Sequence, residues 1–291
     1  MSFRAALIAH GLRPRDIVAD GRWYRCPTDD KPRSRNGAYV MRQDGVGFYM
    51  DWARDAEPIR FGDEANARPI QIDHAAIARH REQAKQKRRQ AIGQARARWD
   101  AARSMSELHP YIEGKGLTAQ GCHRLRVEGG LLLVPMFWRD RLCSIQSIAS
   151  DGEKRFHTGC PTRGAVFVIE RKRAAVTAFC EGLATGLAIF QSIRHARVVV
   201  AFNAGNLVTV VEQMKPTGNV VICADNDAET AKRIGRNPGI DKAREAAALI
   251  GAGVAWPEGI EGTDWADALR EWPEGHRRIE RLILKEARYV M

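Results

Sequence analysis

Ala174-Ala175-Val176-Thr177-Ala178-Phe179-Cys180, stopping at Glu181-Gly182, and Asn219-Val220-Val221-Ile222-Cys223-Ala224, stopping at Asp225-Asn226-Asp227, decide how this chain is read. Each run is short, rich in β-branched residues and followed by a polar break and a helical pattern. That combination predicts buried parallel strands of an α/β unit. Carboxylates then stand at the carboxyl ends of two strands, the edge at which open α/β sheets bind ligands. Three acids converging there repel one another unless a cation joins them, and hard oxygen donors in small number suit Mg²⁺ or Mn²⁺. Glu181, Asp225 and Asp227 are therefore candidate metal ligands. The competing reading is that they cap helices at strand-to-helix turns.

The chain has 291 residues, enough for one large or two modest domains, and its 44% hydrophobic content argues against disorder. Lys and Arg number 46 against 35 Asp and Glu, a net charge of +11 that favours a polyanionic partner such as nucleic acid. No apolar run approaches a membrane span and no signal-peptide core follows Met1, so a cytoplasmic protein without a membrane partner is expected. The six cysteines, at 26, 122, 143, 160, 180 and 223, lack Cys-x-x-Cys spacing, and no zinc is expected.

Working outward, apolar runs at 131–136, 142–148 and 165–169, broken by Arg139-Asp140, Asp151-Gly152 and 161–164, predict a sheet of hairpins. Residues 73–103 have strong helix formers, no proline and a dense basic run that includes Lys87, Arg88 and Arg89. Their apolar side chains are mostly alanine, with Ile77, Ile92 and Trp99 larger, which predicts a weakly packed, exposed helix linking two folded parts. Its charge serves either solvation or contact with nucleic acid. Before it, runs at 23–26, 37–42 and 46–52 with turn residues between them predict a small antiparallel module. The Trp, Tyr, Arg and Lys side chains of that module either stack bases or form a small core with a charged rim. Downstream follow a helix over 243–250, an edge strand over 253–257, an acidic stretch with Asp264 and Asp267, and an amphipathic helix over 274–291 with Ile279, Leu282 and Ile283 inward.

Strand-Glu-Gly, then strand-Asp-x-Asp, with Thr185-Gly186-Leu187-Ala188-Ile189 and Ala201-Phe202-Asn203-Ala204-Gly205-Asn206-Leu207 between them, resembles the Toprim domain of plasmid- and phage-borne primases, the TraC-like group. Gly21-Arg22-Trp23-Tyr24-Arg25 resembles their N-terminal region, and Gly152-Glu153-Lys154-Arg155-Phe156 a turn of their basic subdomain. The resemblance implies an α/β fold: a Rossmann-like Toprim catalytic domain with a mixed α+β basic subdomain and a small N-terminal β module. The boundaries drawn from it are an N-terminal module over 1–68, a basic helical linker over 69–105, the basic subdomain over 106–170, Toprim over 171–270 and a C-terminal helix over 271–291. The module stands where many primases carry a zinc ribbon, without its ligands.

What the resemblance implies for function is a DNA primase that makes short RNA primers on a single-stranded DNA template from ribonucleoside triphosphates, for a plasmid, phage or other mobile element. Glu181, Asp225 and Asp227 would be catalytic and hold Mg²⁺ or Mn²⁺, with Asp264 and Asp267 as outer ligands. Lys154, Arg155, His157, Arg139 and Arg141 would bind triphosphate and template, and Lys87, Arg88 and Arg89 DNA. A replicative helicase is a further partner it points to. Two alternatives stay open: a Toprim metal-dependent nuclease, and a non-catalytic module that binds single-stranded DNA.

Overall fold

A computed structural model describes residues 1–33, 35–55, 57–62 and 74–291, with 74–77, 80, 233 and 234 described by their backbone only. The boundary expected at 68/69 and the helix start expected at Asp73 lie outside the described residues, as does the side chain of Ile77. The chain divides into two compact units, Met1–Gln86 and Lys87–Met291.

In the first unit, α1 (Phe3–Ala9) covers one face of an antiparallel sheet of β1 (Trp23–Cys26), β2 (Gly37–Met41), β3 (Gly47–Asp51) and β4 (Ile59–Phe61), in that order. Its core is small and aromatic: Phe3, Leu7, Leu12 and Tyr39 are buried there, and the ring of Phe3 packs within 6.2 Å of those of Tyr39, Tyr49 and Phe61. Trp23 and Trp52 stay exposed, with the guanidinium of Arg25 5.5 Å from the Trp52 ring.

The second unit contains two sheets. β5 (Arg103–Ser104), β6 (Arg126–Glu128), β7 (Leu131–Trp138), β8 (Arg141–Ile148) and β9 (Lys154–Phe156) form an antiparallel five-stranded sheet, with α3 (Pro110–Gly114) between β5 and β6 in the chain. Arg139 and Asp140 both have positive φ, 47° and 60°, which a two-residue hairpin turn between β7 and β8 requires. Alternation along β7 divides its side chains. Leu132, Val134 and Met136 face the main core, whereas Leu133 and Ile145 of β8 meet Ala95 of α2 (His74–Ala101).

This last contact corrects the expectation of a weakly packed helix. The carboxyl-terminal half of α2 lies on the hairpin sheet through Ala91 and Ala95, with Trp99 half-buried, and Arg96 Nε donates to the Leu142 carbonyl at 3.1 Å. Alanines allow a close approach that a pattern of large apolar residues would have announced.

The six-stranded sheet runs β10 (Phe167–Glu170), β12 (Ala196–Val200), β11 (Val176–Cys180), β13 (Gly218–Cys223), β14 (Gly253–Ala255), with β15 (Arg288–Val290) also on β13. β11, β12, β13 and β14 are parallel, as the apolar runs predict. α4 (Leu183–Ser192), α8 (Trp265–Glu271) and α9 (Gly275–Glu286) contribute to the core on one face, and α5 (Ala204–Met214) and α7 (Pro238–Ala248) to that on the other. α6 (Ala228–Ile234) follows the Asp225 loop. Two expectations are corrected. The run at 165–169 leaves the hairpin sheet and joins β12 as an antiparallel edge strand, bonded to β7 through the Phe137–Val166 bridge. The terminal helix stops at Glu286, and Arg288–Val290 turns back as a strand along β13.

Ala95→Glu, which puts a charge in the α2–sheet contact, should cost about 3 kcal/mol in denaturant unfolding of the second unit. Lys87→Glu, on an exposed side chain, should stay within about 0.5 kcal/mol. A helix held only by its ends would tolerate both alike.

Candidate active site

Cys180 and Cys223, the last residues of β11 and β13, stand opposite each other in the parallel register, so the residues that follow emerge side by side at one edge of the sheet. Cys180 belongs to the core on the α4 face, so Glu181 turns toward α5, where the Ala204 N–H donates to its carboxylate. Asp225 falls on the α4 face, where Thr185 Oγ1 donates to its Oδ1 at 2.7 Å. Gly239, in the first turn of α7, lies against both: a Cβ there would sit 3.1 Å from Glu181 Oε1 and 3.0 Å from the Asp225 carbonyl oxygen. A glycine keeps that space open. Glu181 Oε1 is buried and, among the described residues, has no hydrogen-bond partner.

Burial, followed by repulsion from Glu181 and then from Asp264, pushes Asp225 up to about 7, while the Thr185 hydrogen bond and Lys154 oppose the shift. Burial also raises Glu181, against the Ala204 N–H and Lys154. Lys154 therefore faces both acids, and its Nζ lies 3.9 Å from where a Cβ on Gly182 would be and 5.9 Å from the Tyr111 ring centroid. Along β9 the next residue points the other way, and Arg155 pairs with Glu153 at 2.8 Å. Phe156 returns to the Lys154 side and meets Phe202 edge-on at 6.3 Å. Phe202 is held at φ +70°, an uncommon backbone for a bulky residue and one that sites of function tend to retain.

The other expected residues are distributed as follows. Asp227 shares the Asp225 loop, but its Oδ1 accepts from Thr230 N at 2.9 Å and caps α6. Asp264 and Asp267 form a capping box at the start of α8, and both bind Lys115 Nζ, at 2.7 and 3.1 Å. Burial works against charge on Lys115, yet the two carboxylates outweigh it and raise its pKa. The expected convergence of three acids is thus replaced by a close pair, Glu181 and Asp225. Among the described residues no group of three or more His, Cys, Asp or Glu side chains is arranged to hold a metal ion. The physical reason is that helix N-termini and Lys115 engage the remaining carboxylates.

His157 sits on the α2 side of the hairpin sheet, where burial, followed by Arg98, lowers its pKa. Arg139, over the Trp138 ring at 4.7 Å, lines a groove with Glu170, Arg197 and Lys215, which lie at the opposite end of β12 from Val200. Arg141 is exposed on the same hairpin, and Lys87, Arg88 and Arg89 are exposed on α2. Sequence reasoning missed Tyr111, Lys115 and Thr185. Tyr111 has a buried hydroxyl without a partner among the described residues, and burial, then Asp264, Asp225 and Asp267, raise its pKa. Thr185 was visible as the hydroxyl one helical turn after Glu181.

Asp225 has a folded pKa above the value near 3.8 of a free side chain, so the native state holds its proton more tightly than the unfolded chain. That stabilisation is complete below about pH 4 and is lost as pH rises through about 7. In EDTA the melting temperature should therefore fall over this window. Asp225→Asn, which keeps an acceptor for Thr185, should flatten the fall and melt higher than the parent at pH 8. Identical melting curves at pH 8 would show that the carboxylate is not strained by burial.

Residues 176–274 match the Toprim domain family. Two Escherichia coli proteins named DNA primase TraC are 29% and 27% identical to the chain over 82% of its length, and the matches cover 24% and 18% of theirs. The chain thus spans about a quarter or less of the length of these relatives. A solved DnaG primase catalytic domain bound to single-stranded DNA is 14% identical, with a TM-score of 0.46 over 72% of this chain and 81% of that one. Glu181 and Asp225 stand inside the matched segment at the ends of its first and third parallel strands, so the carboxylate edge falls within the part of the chain that is similar to Toprim domains, in a chain that is similar over most of its length to the TraC primases.

Proposed function

We propose that this chain is the catalytic core of a DNA primase, making short RNA primers on single-stranded DNA from ribonucleoside triphosphates in the replication or transfer of a plasmid, phage or other mobile element. One observation carries the reading: a buried, partnerless Glu181 Oε1 stands beside a desolvated Asp225 carboxylate, with the ammonium of Lys154 facing both. Two such acids fit a hard divalent cation better than they fit each other. Glu181 and Asp225 would hold Mg²⁺ or Mn²⁺, with Asp227 on the same loop as a third oxygen donor and Asp264 and Asp267 as outer carboxylates behind Lys115. When bound, the ion supplies neutralising charge to the phosphoryl group in transfer and acidifies the attacking hydroxyl.

The protein's own groups act around that centre. Glu181 is either a ligand of the ion or, through Oε1, the base that takes the proton of the primer 3′-hydroxyl, a role suited to a carboxylate whose pKa burial has raised. Lys154 meets the charge that develops on the triphosphate. Arg155, His157, Arg139, Arg141, Lys87, Arg88 and Arg89 hold DNA backbone away from the transfer. The chain works in the cytoplasm, beside a replicative helicase that exposes its template. No described helix is long and apolar enough to cross a membrane.

Incubation with single-stranded circular DNA, labelled ribonucleotides and Mg²⁺ or Mn²⁺ should give short RNA, whereas linearised DNA without incorporation would overturn the proposal in favour of a nuclease. Lys154→Ala should slow synthesis by roughly 10- to 1000-fold even at saturating template and nucleotide. Arg155→Ala, on the opposite side of β9, should recover nearly full turnover when template is raised.

A further inference from the structure

A cleft of about 690 Å³ lies between β14 and α9, and none of the residues at the carboxylate edge lines it. That volume falls within the range of small-ligand sites. Arg278, Arg281 and Lys285 line it from α9, at a spacing that keeps them on one stripe of the helix. Opposite stand the indoles of Trp256 and Trp272, with Leu282 completing the apolar wall.

One of these cations is ordered by an aromatic ring rather than by an acid. Arg278 lies 4.2 Å from the Trp272 ring centroid, and Arg244 packs on Trp256 at 5.3 Å. Among the described residues neither Arg278 nor Arg281 has a carboxylate within salt-bridge distance. The two acids that line the cleft are engaged: Glu258 accepts from Trp256 Nε1 at 2.8 Å, and Glu286 lies within 3.9 Å of Lys285 and 3.7 Å of Arg288. Trp272 is 5% exposed and its Nε1–H is buried with no acceptor among the described residues, an omission that costs stability unless something supplies one. Two guanidinium groups without acid partners, one of them already ordered on an indole, favour phosphate oxygens, which the planar fork of arginine matches in pairs. The indole and leucine walls favour an attached planar base.

We infer that this cleft is a second nucleotide site, separate from the carboxylate edge, in which Arg278, Arg281 and Lys285 take the phosphate tail of a nucleoside triphosphate against the Trp256 and Trp272 walls. The inference needs no primer synthesis and is tested without metal. In EDTA, calorimetric titration with ATP should show one site, with inorganic triphosphate binding more weakly at the same place. Arg281→Glu, on an exposed side chain, should weaken both at least ~10-fold, since the charge that faces the phosphates changes by two units, from +1 to −1. Lys285→Glu should act in the same direction, and Lys154→Ala should leave ATP binding intact. Absence of ATP binding by the parent protein, equal affinity in Arg281→Glu, or loss of binding in Lys154→Ala would overturn it. So would binding of an oligothymidylate, lost in Arg281→Glu, where ATP does not bind.

Discussion

Two like charges forced together in a dry place are the constraint on which the parallel sheet turns. The parallel register sets Cys180 against Cys223, so Glu181 and Asp225 have no freedom to emerge anywhere but beside each other. What surrounds them mitigates the repulsion without abolishing it: one N–H from the start of α5, one hydroxyl from α4, the ammonium of Lys154. Helix N-termini following β11, β12 and β13 add partial positive charge at the same edge. The fold thus holds a polar arrangement that a purely stabilising design would avoid, and holds it on strands whose interior side chains are all apolar.

The hairpin sheet is part of the same construction. A single hydrophobic cluster runs from Tyr111 and Ile112 of α3 through Leu132, Val134 and Met136 of β7 to α4, Trp265 of α8 and Ile279 of α9. Lys115, at the end of α3, ties that subdomain to the α8 cap by ionic contact, and Trp265 Nε1 donates to the Ala224 carbonyl one residue before Asp225. The position of Lys154 relative to the acids is therefore set by packing shared between two sheets rather than by a flexible turn.

Much of this was legible in the residues. β11 and β13 announce themselves by short runs rich in β-branched residues with acidic stops, and Arg139-Asp140 marks its hairpin. The partner of a short apolar run is another matter: 165–169 reads equally well as a member of either sheet, because periodicity specifies burial and not neighbours. Arg288–Val290 has too few apolar residues to signal a strand and is recruited by an unpaired stretch of β13. The separation of Lys154 from Arg155 follows from strand alternation, and needed only the recognition that the turn is a strand. Asp264-x-x-Asp267 carried the spacing of a capping box, and a cap is what the backbone makes of it.

β13 is paired along one side by β11 and along the other by two different segments, β14 over Val221–Cys223 and β15 over Gly218–Val220. The second of these arrives some seventy residues later in synthesis. A nascent chain at a ribosome therefore exposes the first half of β13, with open N–H and C=O groups, until residue 290 has emerged, a period of several seconds at ordinary translation rates of about 5–20 residues per second. For that interval the strand that carries the Asp225 loop is a template for the wrong edge, a slow-codon pause over the α9 segment would prolong the exposure, and a bound chaperone would cover it.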